Sequence, residues 1–302
     1  MAEAARHTSW AVAGLLLNAF VWGLSWWPFK QLESLGLHPL WATAIVYGLS
    51  FLLIAVGCKL ARLPGLAWRA HPGLWWLLIA SGLTNVCFNW AVTVGDVVRV
   101  VLLFYLMPAW SVLVAWWLLG DKPTLGALLR LLLALSGLAI VLHTPGHPWP
   151  VPESLADVLA LLGGLSFALT NALLLKLKDT PESSRMLAMF GGGTLMASLT
   201  AGLASGSAVV MQTTGWHPGW VGPVLVLALA FLGGNLALQY GAARLPAHTT
   251  ALVMLSEVVF ASVSSVILGA STWDGRTLMG GALILLAAVL SVVMPARSSA
   301  HG

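Results

Sequence analysis

Apolar runs long enough to cross a bilayer recur from Trp10 to Met294, separated only by short polar breaks. No other feature constrains the fold as tightly. In hydrocarbon every backbone N–H and C=O must be bonded within the protein, so a crossing segment is either an α-helix or a strand of a closed barrel. A helix needs about 20 apolar residues to span a core of about 30 Å. The runs have that length, mix Ala, Leu, Gly and Val, and lack the period-two alternation of barrel strands. Only 8% of the 302 residues are charged, against about 25% in a soluble domain. The expected fold class is therefore an all-α integral membrane protein with ten transmembrane helices, near 10–29, 39–60, 74–95, 98–118, 124–143, 155–175, 185–205, 221–242, 248–268 and 275–294. No convincing small-residue cleavage site follows the first run, which reads as a retained span rather than a signal peptide.

Basic residues set the expected orientation, because cytoplasmic loops carry an excess of them. With both termini cytoplasmic, that side collects Arg6, Lys59, Arg62, Arg69, Lys122, Arg130, Lys176, Lys178, Arg185, Arg244 and Arg297. Only Lys30, Arg99 and Arg276 fall on the other side. This asymmetry accounts for the net charge of +4, and basic residues scattered singly over loops give no reason to expect a nucleic-acid partner. Cys58 and Cys87 lie in apolar runs without metal-ligand spacing and read as small buried residues.

The prolines of the segment from Pro145 to Pro152 exclude a continuing helix, and divide the chain into five-span halves, 1–147 and 148–302, that together form one transport domain. Asn18, Trp22 and Trp26 correspond to Gly163, Phe167 and Asn171, and Asn85, Asn89 and Trp90 to Asn235, Gln239 and Tyr240. Gly120 corresponds to Gly269, which sets Pro108 opposite Glu257. Five spans per half is an odd number, so the second half enters the membrane from the opposite side. Two inverted repeats around a central cavity are the architecture of alternating-access transporters.

Glu257 is the only carboxylate near the middle of an apolar span. Charges at that depth are costly and mark pathways when they face a bundle interior. Glu257 is a candidate for binding a proton or a substrate amine, with a structural charge held by amides or water as the alternative. Residues four apart share a helical face, so Asn18, Trp22 and Trp26 form one stripe, Asn85 and Asn89 another, and Asn235 and Gln239 a third. Their amides need partners in hydrocarbon, either neighbouring helices or a polar substrate. Trp90, Tyr105, Phe167, Asn171 and Tyr240 complete a candidate lining able to stack on an aromatic side chain or face an ammonium. Pro108 is a candidate hinge. Trp26 sits near a span end, as do Trp41, Trp68, Trp75, Trp76, Trp116, Trp117, Trp216, Trp220 and Trp273, where interfacial anchoring is the simpler role. The glycines at 163–164, 191–193 and 233–234 read as close-packing positions. The histidines form no ligand cluster, and no serine has an arguable base, so neither a metal, a cofactor nor catalysis is expected.

Ten spans, a five-plus-five repeat, Pro108, Gly120-Asp121 and Gly126 resemble the drug/metabolite transporter superfamily, within it the bacterial ten-helix EamA-type exporters, and particularly their aromatic amino-acid exporter branch. Ala270 departs from the acidic residue usual after the second-half glycine, and Glu257 stands near the place of the expected proline. The resemblance implies secondary transport, as efflux of amino acids or similar metabolites across a bacterial inner membrane. The cargo is then neutral or zwitterionic, since the spans hold almost no Lys or Arg for a phosphorylated one, and protons are a candidate coupling ion. A monomer suffices to enclose the pathway. Exporters of drugs or other small metabolites, and an intramembrane enzyme, are the alternatives.

Overall fold

The computed structural model describes residues 2–114, 116–117, 124–143, 151–204, 216–242, 244–245, 253–272 and 274–293. Among them all regular structure is helical. In order these are α1 (Ala2–Leu24), α2 (Trp26–Ser34), α3 (Pro39–Leu60), α4 (Gly73–Val94), α5 (Val97–Phe104), α6 (Met107–Val114), α7 (Leu125–Leu142), α8 (Leu155–Lys176), α9 (Glu182–Ala204), α10 (Val221–Ala242), α11 (Ser256–Ile267) and α12 (Gly275–Val293). Eight stretches of the described residues are long and apolar enough to cross a membrane, and two shorter apolar helices cover 256–267 and 275–290. The proline-rich midpoint at 144–150, Gly120-Asp121, Trp273 and the start of the expected ninth span lie outside the described residues.

Among the described residues three spans are interrupted, and in two of them a proline accounts for the break. Pro28 has no N–H to offer the Leu24 carbonyl, and α1 ends at Leu24, with the Ser25 hydroxyl and amide both turned back on the Trp22 carbonyl. The first span then continues through α2 to Ser34, farther than the expected limit near residue 29. Pro108 likewise has no N–H for the Phe104 carbonyl, and α5 ends there. The chain turns at Tyr105-Leu106 before α6 resumes, inside the expected fourth span. A third break falls at Leu255, immediately before α11. Four helices begin on side-chain caps: His38 accepts from the Leu40 amide at α3, Asp96 from Arg99 at α5, Thr124 from Ala127 at α7 and Ser154 from Asp157 at α8.

In lipid, helix association depends on close packing, and small residues permit it. Where α4 crosses α9, a Cβ on Gly82 would fall on the Gly192 carbonyl and one on Gly192 on the Leu78 carbonyl. Where α7 crosses α12, Gly137 and Gly280 stand in the same relation, each with the other's carbonyl 2.6 Å from an added Cβ. The helix α1 lies along α10, and α8 along α4. Of the glycines expected to serve packing, Gly164, Gly192 and Gly193 do so, whereas Gly233 faces open space. Cys58 and Cys87 are buried free thiols.

Candidate functional site

The break in α5–α6 and the break before α11 meet. Tyr105, 2% exposed, sits at the first and directs its hydroxyl to Glu257 Oε2 at 3.0 Å and to the Met254 carbonyl at 3.3 Å. Glu257, 9% exposed, lies in the first turn of α11. A phenol has one proton to give, so one donor is shared between a side chain in α11 and a backbone acceptor on the other side of the break at Leu255. Interrupted helices at membrane depth, buried in protein, are where transporters place ion and substrate groups.

A run of aromatic rings from both halves borders this junction. Trp22 stacks on Phe231 with centroids 4.6 Å apart and meets Phe88 edge-on at 6.4 Å. Phe88 packs on Phe104 at 4.7 Å, and Phe104 on Phe167 at 5.5 Å and on Tyr105 at 6.3 Å. Each pair lies within the range of favourable aromatic contact, about 4.5–7 Å between centroids. Trp22 and Phe167 are therefore joined through Phe88 and Phe104 in one aromatic cluster.

Two fully buried amides flank it. Asn18 Nδ2 donates to Met254 Sδ at 3.5 Å, a weak acceptor, and Asn89 Nδ2 donates to Thr43 Oγ1 at 3.3 Å. The Oδ1 atoms of both have no hydrogen-bond partner, an arrangement that costs about 1–3 kcal/mol for each buried acceptor. Asn85 differs: its Oδ1 accepts from the Tyr47 hydroxyl at 2.7 Å, so the structural alternative describes it. Asn235 and Gln239 bond one another at 2.7 Å and are half-buried.

Three expected lining residues stand apart from the junction. Asn171 is exposed. Tyr240 is exposed, with the Arg244 guanidinium 3.8 Å from its ring centroid. Trp90 packs edge-on against His38 at 5.5 Å, toward the end of the bundle where α4 finishes. Spacing of four sets which residues share a helix face, but not which neighbour that face meets. Trp26 is corrected in the other direction: it is buried, and its Nε1 donates to Ser264 Oγ at 3.0 Å, so it ties α2 to α11 rather than anchoring at an interface. Trp75, Trp76, Trp116, Trp117 and Trp216 are exposed, in line with anchoring. Pro108 lies in the first turn of α6.

Sequence reasoning missed an ion pair between the halves. Arg99 Nε and Nη2 grip the two oxygens of Asp157 at 2.7 and 3.0 Å, while Arg99 Nη1 donates to the Val141 carbonyl at 2.7 Å. The Glu153 amide adds a bond to Asp157 Oδ2 at 3.2 Å. One residue thereby joins α5, α7 and α8. The available signal is two opposite charges near span ends that a polar loop would not need to place there.

Residues 9–143 match the EamA-like transporter family. No curated protein matches the sequence. Fifteen chains of solved structures match. One, described only as "Crystal structure of protein", is 17% identical, with a TM-score of 0.57 over 95% of this chain and 96% of that one. At that identity the likeness is one of fold. The family match and the eight candidate spans make the chain a multi-pass membrane protein.

Proposed function

We infer that the protein is a secondary transporter that exports neutral or zwitterionic amino acids, aromatic ones foremost, across a bacterial inner membrane by alternating access. Both termini are cytoplasmic in this reading, and residues 1–147 and 148–302 are inverted repeats within one monomeric unit. The match of residues 9–143 to a transporter family supports the class. The observation that carries the mechanism is the Tyr105–Glu257–Met254 junction, where an interrupted helix of one half is bonded to one of the other.

The junction has two hydrogen-bonded arrangements. With Glu257 ionised, the Tyr105 proton goes to the carboxylate. With Glu257 protonated, the carboxyl O–H can donate to the Tyr105 oxygen, and the Tyr105 proton goes to the Met254 carbonyl. A proton arriving at Glu257 is thereby felt by the facing span through Tyr105 and by the Met254 carbonyl across the break at Leu255, which is the coupling an alternating-access carrier needs. A substrate ammonium at the same place exerts the same pull on the carboxylate. The aromatic run from Trp22 to Phe167 offers faces on which a substrate ring can stack, and the Oδ1 atoms of Asn18 and Asn89 offer acceptors to its ammonium. Asn85, Trp90, Asn171, Asn235, Gln239 and Tyr240 then act only in a conformation that turns their faces inward.

Counterflow of radiolabelled phenylalanine in proteoliposomes tests the reading. Transport by the unsubstituted protein with a dependence on the pH gradient, lost in Glu257→Gln, is the expected result. Undiminished, equally pH-dependent transport by Glu257→Gln removes Glu257 from coupling, and no counterflow with any amino acid removes the substrate class.

A further inference from the structure

A separate cleft of 580 Å³ opens at the end of the bundle where α2 finishes and α3 begins. Its volume falls in the range of about 300–1,000 Å³ typical of small-molecule sites. It is walled by four helices from both halves: the end of α2, the start of α3, the end of α4 and the start of α8. Two carboxylate residues, Glu33 and Asp96, line it together with the ring of Trp90 and the apolar side chains of Leu37 and Leu155.

The polar groups are oriented by local structure. Asp96 caps α5 through Oδ1, which accepts from the Arg99 amide at 2.9 Å, so its second oxygen is the one available to a ligand. His38 accepts from the Leu40 amide through Nδ1 at 3.2 Å and packs its ring edge-on against Trp90, which holds the indole in place. Lys30 donates to the cleft-lining Gly95 carbonyl at 3.3 Å, with the Trp26 ring beside it, and its ammonium is near enough to act on Glu33, so a ligand cation shares that carboxylate with Lys30 while meeting Asp96 directly. Two carboxylates, an aromatic face and apolar walls in one concavity match an organic ammonium: carboxylates take the charge, and the indole face takes either the cation or the apolar body.

We propose that this cleft is a binding site for small organic ammonium compounds with an apolar body, distinct from the Tyr105–Glu257 junction. The inference stands without the transport reading, since equilibrium binding needs no translocation. It places a second recognition site at the end of the bundle that the first reading makes external.

Phenethylammonium, binding to full-length protein in lipid nanodiscs by calorimetry, is the probe, with 3-phenylpropionate as its carboxylate counterpart. The unsubstituted protein should bind the ammonium and not the carboxylate, a comparison that no folding defect can confuse. Glu33→Gln combined with Asp96→Asn, which keeps the helix cap, should weaken ammonium binding at least tenfold, and Trp90→Leu should weaken it several-fold. Gly57→Ala, which adds a methyl into open space away from both sites, should leave it unchanged. Equal binding of the two probes, or unaltered affinity in the double variant, overturns the proposal. Loss of binding in Glu257→Gln alone would move the ammonium to the central junction and overturn it equally, whatever the transport assays give.

Discussion

The Tyr105 hydroxyl donates to Glu257 across the facing breaks of two interrupted helices, at 3.0 Å and with both residues buried. Tyr105→Phe removes the donor but keeps the ring. A buried carboxylate left without its partner should lower stability by about 1–3 kcal/mol. Glu257→Gln keeps an acceptor for the same hydroxyl, so its stability should lie near that of the unsubstituted protein. Thermal unfolding of the two variants and their double in detergent tests this: once Glu257 is Gln, the Tyr105→Phe cost should shrink, and additive costs would show the pair to be uncoupled.

Asp157 is held on both oxygens by Arg99, and its side chain is only 3% exposed against 25% for Arg99. Breaking a buried pair by removing one partner costs about 3–5 kcal/mol, and the partial exposure of Arg99 sets the expectation at the low end, about 3 kcal/mol for Asp157→Ala. Arg99→Lys should recover part of the charge but not the two-point grip. Chemical or thermal denaturation of the variants measures the order: unsubstituted, then Arg99→Lys, then Asp157→Ala.

Gly192 carries the α4–α9 crossing, where an added Cβ meets the Leu78 carbonyl rather than a side chain that could move. Gly192→Ala should therefore force the helices apart and destabilise by about 1–3 kcal/mol. Gly57, in α3 with nothing within 4 Å of an added Cβ, is the contrast. Gly57→Ala should be neutral or stabilising by about 0.5–1 kcal/mol, because Gly in a helix interior is unfavourable relative to Ala. Thermal shifts of opposite sign would bear this out, and equal shifts would not.

Burial holds the His38 imidazole below its ordinary value, and the ring must stay unprotonated at Nδ1 to accept from the Leu40 amide. A depressed native value means that the stabilisation is fully present above the unfolded histidine pKa, about 6.5. It is lost as pH falls from there through the lower native value. Hydrogen exchange at the Leu40 amide should accelerate over that window. His38→Asn, which retains a cap acceptor without titrating, should remove the pH dependence.

Several parts of this architecture are legible in the sequence for plain reasons. Pro108 is flagged because it lacks an N–H, and α5 ends where the Phe104 carbonyl loses that partner; Pro28 ends α1 in the same way, inside a span expected to run unbroken. Glu257 declares itself because an ionisable group inside an apolar run has no inexpensive place to go. Trp22 and Phe167 are found by spacing and do join one aromatic cluster. Asn171, Tyr240 and Trp90 show the limit of the same method. Spacing says which residues share a face of one helix, but which neighbour that face meets depends on how the helices cross. Gly82 with Gly192, and Gly137 with Gly280, set two of those crossings through contacts between residues far apart in the chain.

By itself, then, the sequence determines a bundle of membrane-crossing helices, that Pro108 disturbs one of them, and that one carboxylate falls inside an apolar run. These follow from apolar length, missing amide protons and the cost of a charge in hydrocarbon, all of which are local. Only the tertiary structure decides that Tyr105 is the partner of Glu257, that Arg99 reaches Asp157, and that Glu33, Trp90 and Asp96 share a cleft. Each is a contact between side chains on different helices, and its existence depends on rotations and crossings that no single span encodes.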